Sequence, residues 1–114
     1  MTSTILNAAI IGCGDVSEVH IAALQDLPDV QLIAVCDADD ERRTVTARRL
    51  SVLGFVDVDA MLATHQVDVA HVCTPHNAHV PVATALLERG VHVLLEKPLA
   101  ESVAAGQQLV DVAA

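Results

Sequence analysis

Large aromatic side chains are almost missing: there is no Trp, no Tyr and a single Phe among 114 residues. A core without rings has to be built from many small aliphatic contacts, and the Ala, Val and Leu that dominate here suit helices packed on a parallel sheet. Basic residues are scarce as well. Six Lys and Arg against fifteen Asp and Glu give a formal charge of −9, which argues against nucleic acid as a partner, because that affinity rests on cations neutralising phosphates. No apolar run approaches the ~18 residues of a membrane span, and no Lys or Arg precedes Arg42. Neither a transmembrane helix nor a secretory signal is therefore expected, no membrane partner, and the expected location is cytoplasmic. Cysteine is sparse: Cys13, Cys36 and Cys73 form an odd set with no CxxC pair, as reduced thiols do, which implies neither a disulfide framework nor a zinc knuckle.

What is present is a single domain's worth of chain with a regular alternation. Ile5 to Ile11 is an apolar, β-favouring run that stops at Gly12-Cys13-Gly14, as a strand buried on both faces should. Ser17 is placed to cap a helix reaching about Asp26, with Leu24 and Leu27 inward, and Pro28-Asp29 breaks it before a second strand from Val30 to Cys36. Asp39 to Leu53 reads as the next helix, acidic at its start and closed by Gly54. A short strand is expected around Phe55 to Asp57 and a brief helix near Asp59 to Ala63. Val67 to Cys73 is another buried strand, Val80 to Arg89 a helix ended by Gly90, Val91 to Leu95 a further strand, and Ser102 to Ala114 a last helix. The pattern predicts an α/β fold, a Rossmann-type doubly wound parallel sheet between two helix layers, with strand order 3-2-1-4-5.

The turn Gly12-Cys13-Gly14-Asp15-Val16-Ser17 follows the first strand and opens the first helix, the setting in which a glycine pattern carries meaning. The first glycine permits the tight turn. The second lets a pyrophosphate approach the backbone, where the helix start offers unpaired N–H groups and a partial positive charge. Ser17 stands where the motif has its third glycine; it is small, and its hydroxyl can serve a phosphate or the helix. Asp15 must point to solvent if a pyrophosphate is to bind, and a turn that merely joins strand to helix is the alternative. Asp37 closes the second strand 23 residues beyond Gly14, where a carboxylate can accept from both ribose hydroxyls of an adenosine. It would repel a 2′-phosphate, and Ala38 and Asp39 add no positive charge, so NAD is expected over NADP. Arg42, Arg43, Arg48 and Arg49 beside Asp39, Asp40 and Glu41 read as a solvated helix face, with an anion site as the alternative. His20, His65, His71, His76, His79 and His92 show no metal-ligand spacing, and no bound metal is expected.

Two later segments, Cys73-Thr74-Pro75-His76-Asn77-Ala78-His79 and Glu96-Lys97-Pro98-Leu99-Ala100, stand at the carboxyl ends of expected strands, the edge where doubly wound sheets bind ligands. Together with GCGDVSEVH and the Val35-Cys36-Asp37 ending, they resemble the glucose-fructose oxidoreductase, inositol dehydrogenase and MocA (Gfo/Idh/MocA) family over nearly the whole chain. The resemblance implies that the turn from Gly12 and Gly14 through Asp15, Val16 and Ser17 holds the pyrophosphate and Asp37 the adenosine ribose. It implies further that Thr74, Pro75, Asn77 and His79 line the cofactor groove, and that Glu96 and Lys97 sit beside the nicotinamide. Lys97, the only lysine, would assist proton movement at a substrate hydroxyl while hydride passes between nicotinamide and a sugar, cyclitol or related polyol. Burial and Glu96 can tune such a lysine; a solvated lysine in a turn is the alternative. The resemblance further implies a cis Lys97-Pro98 bond, which would aim the lysine into the crevice.

Enzymes of that family carry a second domain that covers the crevice and contacts substrate, and this substrate domain is expected to be absent from the chain. The whole of residues 1–114 then forms the dinucleotide-binding domain, with little turnover when isolated, because water is not excluded and substrate is not held. Self-association into a homo-oligomer follows as a hypothesis from the apolar surface so exposed. A cofactor-sensing module and a structural, partner-binding α/β domain are the other readings; the retained Glu96-Lys97-Pro98 favours the enzymatic one.

Overall fold

The computed structural model describes residues 5–74 and 79–95. Nine elements alternate along it: β1 (Leu6–Ile11), α1 (Ser17–Gln25), β2 (Val30–Cys36), α2 (Asp40–Leu50), β3 (Leu53–Phe55), α3 (Val58–Thr64), β4 (Val69–Val72), α4 (His79–Glu88) and β5 (His92–Leu95). The strands form one sheet in the order β3-β2-β1-β4-β5, and every neighbouring pair is parallel. This is the expected topology, with the chain reversing its direction of travel across the sheet between β1 and β4. The expected helix from Ser102 to Ala114 and the Lys97-Pro98 bond lie outside the described residues.

The strand alternation explains the two cores. In β1, Ala8 and Ile10 face one side with Val35 of β2 and with Ile21 and Leu24 of α1. Ala9 and Ile11 face the other with Ala34, Cys36, Ala70 and Val72, under Met61 of α3 and Leu86 of α4. Small residues at the centre of the sheet let helices approach both faces, and the single Phe, Phe55, packs at the margin of the second core.

Several local expectations are corrected. Ser17 is the first residue of α1 and not its cap; Val16 holds the N-cap position with no side-chain capping bond. Leu24 is buried as expected, but Leu27 lies past the helix and is half exposed. Helix α2 stops at Leu50, and Ser51 takes the left-handed conformation (φ 56°) that Gly54 was expected to supply. Gly54 instead sits inside β3, paired with Val35. Its missing side chain serves packing, since a Cβ there would lie 2.9 Å from Cγ of Arg43 and 3.3 Å from Cβ of Ala47 on α2.

Candidate dinucleotide site

At the carboxyl ends of β1, β2 and β4 the sheet opens into a crevice of about 910 Å³, bordered by the Gly12–Val16 turn, by Cys36 to Asp39, by Arg42, by Val56 to Asp59, by Cys73 and Thr74, and by Pro81, Val82 and Ala85 of α4. The edge is the one where the topology changes direction, the usual place for a ligand in an open α/β sheet.

The turn is built by backbone chemistry. Gly12 has φ 93°, and a Cβ on it would lie 2.8–2.9 Å from the backbone of Cys73 and Thr74, so both conformation and close approach demand glycine. Gly12 donates its N–H to the Cys36 carbonyl (2.7 Å), and Cys73 donates to Ile11 (2.7 Å), locking the turn between β2 and β4. Gly14 is different. It is not in the left-handed region, and the nearest atom to an added Cβ is Nη1 of Arg42 at 3.9 Å. Among the described residues nothing in the packing requires glycine there. The N–H groups of Gly14, Asp15 and Val16 donate to no acceptor among the described residues, while Ser17 and Glu18 donate to the carbonyls of Gly14 and Asp15. Three unclaimed donors around a bare Cα at a helix start form a cradle for an anion.

Ser17 is fully buried. Its hydroxyl donates to the Gly14 carbonyl at 2.5 Å, so its side chain shapes the turn and does not line the crevice. Asp15 and Val16 stand exposed at the rim, which keeps the Asp15 carboxylate in water. Asp37 sits at the end of β2, where its two carboxylate oxygens accept from the N–H of Cys13 (2.8 Å) and of Asp39 (2.9 Å). The carboxylate is thereby fixed against the glycine turn with lone pairs left over for hydroxyl donors. Asp39 caps α2, accepting from the Arg42 N–H at 2.9 Å. Thr74 lines the crevice beside Gly12, and its Oγ1 is buried without a partner among the described residues.

The three cysteines gather at this edge without a disulfide. Burial, reinforced by the Asp37 carboxylate, pushes the Cys13 thiol up to about 11. Burial and then Cys13 push Cys36 up to about 12. Both are protonated and unreactive near neutrality, which fits the packing role.

The structure thus brings together Gly12, Gly14, Asp15, Val16, Asp37 and Thr74. His79 opens α4, whereas Pro75, Asn77, Glu96 and Lys97 lie outside the described residues. Arg42, which the sequence places on a solvated helix face with an anion site as the alternative, also lines the crevice. Its neighbours do behave as a solvated face, Arg43 pairing with Asp40 and Arg49 with Glu18. Among the described residues no group of three or more His, Cys, Asp or Glu is arranged to hold a metal, and no helix is long and apolar enough to cross a membrane.

The buried Thr74 hydroxyl without a partner among the described residues, the cradle of N–H donors at Gly14 and the acceptor at Asp37 fit the phosphates and ribose of a dinucleotide. Comparison with known proteins points the same way. The family model described as "Oxidoreductase family, NAD-binding Rossmann fold" (GFO_IDH_MocA) matches residues 6–114. D-glucoside 3-dehydrogenase of Escherichia coli (strain K12) is 35% identical over 115 residues, covering 99% of this chain and 33% of the relative. GenD2 from gentamicin A biosynthesis, solved in complex with NAD, superposes with a TM-score of 0.90 at 34% identity, covering 96% of this chain and 32% of the other. The WlbA dehydrogenase of Bordetella pertussis, solved with NADH and UDP-GlcNAcA, gives a TM-score of 0.91 at 27% identity over 96% and 34% of the two chains. The chain spans about a third of the length of the relatives it matches.

Proposed function

The chain belongs to the Gfo/Idh/MocA oxidoreductase family as its NAD-binding Rossmann domain, and from that premise we propose that it binds NAD in the crevice above β1, β2 and β4. Within a longer protein it would serve transfer of hydride between nicotinamide and a hydroxyl or carbonyl carbon of a sugar, cyclitol or related polyol. The observation that carries the reading is Gly14: a glycine that no packing contact among the described residues requires, set among N–H donors with no acceptor among those residues. A pyrophosphate supplies the reason, because only a residue without Cβ lets it reach those donors.

The residues divide the work. Gly12 holds the turn tight against β4, and the amides from Gly14 to Val16 receive the pyrophosphate. Asp37, held by Cys13 and Asp39, accepts from the adenosine ribose hydroxyls. Thr74 offers its hydroxyl from beside Gly12, and the family resemblance adds Pro75, Asn77 and His79 to the cofactor-binding set. The family resemblance assigns Glu96 and Lys97 to the nicotinamide, where Lys97 would hold or release the proton of the substrate hydroxyl as the carbon loses or gains hydride. The bound nicotinamide supplies hydride exchange at its C4. A sugar-class substrate is supported by the dehydrogenases named above, D-glucoside 3-dehydrogenase among them.

NAD is preferred over NADP because Asp37, at the end of β2 where the adenosine ribose would bind, and Asp39 beside it line the crevice, and like charges would repel a 2′-phosphate there. Calorimetric titration of the purified chain with NADH and, in parallel, NADPH tests both statements. Saturable binding with NADH tighter is the expected result. Absence of binding by either would leave a structural domain, and tighter NADPH would overturn the preference.

A further inference from the structure

Arg42 occupies the first turn of α2, and its guanidinium overhangs Gly14, with Nη1 3.9 Å from where a Cβ would stand. Five carboxylates line the same crevice, those of Asp15, Asp37, Asp39, Asp57 and Asp59, and among the described lining residues Arg42 is the one cation. The other arginines near the crevice are engaged: Arg43 with Asp40 and with the Asp37 carbonyl, Arg49 with Glu18, Arg89 with Asp59. The Arg42 guanidinium has no hydrogen-bond or ion-pair partner among the described residues. An acidic crevice whose one described cation has no partner among the described residues, over the bare face of a phosphate-type turn, is built for an anionic ligand to complete the pairing.

We propose that Arg42 contacts the pyrophosphate of the bound dinucleotide from the side opposite the Gly14–Val16 amides, and that this contact is what allows so acidic a crevice to accept the ligand. The assignment rests on the dinucleotide reading above. A guanidinium offers two parallel donors to a phosphate, whereas the short turn offers only backbone N–H groups, so the two together grip the group from both sides. The rival role for an arginine at the start of this helix is recognition of a 2′-phosphate. Its position over Gly14 favours the pyrophosphate, which both NAD and NADP carry.

The test is calorimetric titration of the wild type, Arg42→Gln and Arg42→Lys with NADH, NADPH and ADP at low and high salt. Arg42→Gln is expected to weaken NADH and ADP alike, by about tenfold at low salt. The gap should narrow as salt screens the charge, Arg42→Lys should fall between, and the NADPH to NADH ratio should stay constant. Unchanged NADH affinity in Arg42→Gln, or a loss confined to NADPH, overturns the proposal. If the wild type binds NADH and Arg42→Gln binds it equally well, only the Arg42 assignment falls; if the wild type binds no nucleotide, the dinucleotide reading falls and takes this with it. Arg42 is exposed, so an unchanged thermal midpoint is expected for both variants, and Arg42→Lys carries the comparison should Arg42→Gln not fold.

Discussion

Two glycines two positions apart have different physical reasons for being glycine, and that difference is measurable. Gly12→Ala places a side chain on a residue at φ 93° and drives its Cβ to 2.8 Å from the backbone of Cys73. The cost should be about 3 kcal/mol of stability, read as a lower denaturation midpoint. Gly14→Ala meets nothing closer than 3.9 Å and should change stability by less than about 1 kcal/mol. Its NADH affinity should nonetheless fall about tenfold or more, as the methyl group displaces a phosphate from its donors; equal stability losses in the two variants would contradict this division. The cysteines give a pH prediction. Cys13 and Cys36 have thiols raised from 9.0 to about 11 and about 12, chiefly by burial. The native state therefore holds its protons longer than the unfolded chain, so this stability is complete below pH 9 and is lost as pH rises toward those values. The thermal midpoint should drop on the alkaline side, and Cys36→Ala should flatten the drop. Sequence made the glycines, Asp37 and Thr74 legible because each stands at a strand end beside a turn signal. It could not single out Arg42, since four arginines in one helix look equivalent until the helix axis is fixed relative to β1, and only then does one of them overhang Gly14.

Elements are joined here by contacts of quite different strength. Helix α1 is tied to β4 by His20 and His71, whose Nδ1 atoms are 2.8 Å apart with rings at 86°. One ring must donate and the other accept, so a proton on both nitrogens breaks the contact. Burial, and then the neighbouring His20, hold His71 below its ordinary value of 6.5. The native state thus binds fewer protons than the unfolded chain just below that pH; the stability is complete above 6.5 and is lost as pH falls. A thermal midpoint that declines between about pH 7 and about pH 5, with His71→Leu declining less, is the expected outcome; a flat profile in the wild type would refute the link. At the other end of α2, Ser51 holds a left-handed conformation (φ 56°) without glycine's freedom. Ser51→Gly should raise stability by about 1 kcal/mol. Strands β1, β2 and β4 were legible because each lies in a mostly apolar run closed by Gly12, Asp37 or Thr74-Pro75, and the strand order followed from parallel connection rules. Strand β3 forms at Leu53–Phe55 and not at the expected Phe55 to Asp57, because it is a short edge strand with a glycine at its centre. The end of α2 was not legible either. Leu50 to Leu53 is apolar enough to continue a helix, and the glycine that looked like its terminator is needed three residues later, where α2 lies against β3.

On the scale of the molecule, apolar surface at the crevice mouth stands against a net charge of −9. Val16 and Val56 border the crevice at 51% and 50% exposure, and Val19, one turn further along α1, is 73% exposed. A cofactor held there meets water on its open side, so NAD reduction by polyols, followed by nicotinamide absorbance, should be negligible for these 114 residues even where NADH binds. The same valines are a surface that a second layer of protein would cover. Two copies meeting through it would remove apolar area from water, each side chain contributing on the order of 1 kcal/mol, while bringing two strongly acidic bodies together. The first effect is indifferent to moderate salt and the second is screened by it over about a Debye length, ~10 Å at 0.1 M. Association should therefore strengthen as salt rises, the reverse of what ion-paired interfaces do. Light scattering should show an average mass that climbs with protein concentration and climbs further with added salt, and Val16→Ser with Val19→Ser should bring it back toward the monomer. A constant monomer mass at high salt and high concentration would mean that the exposed valines drive no self-association.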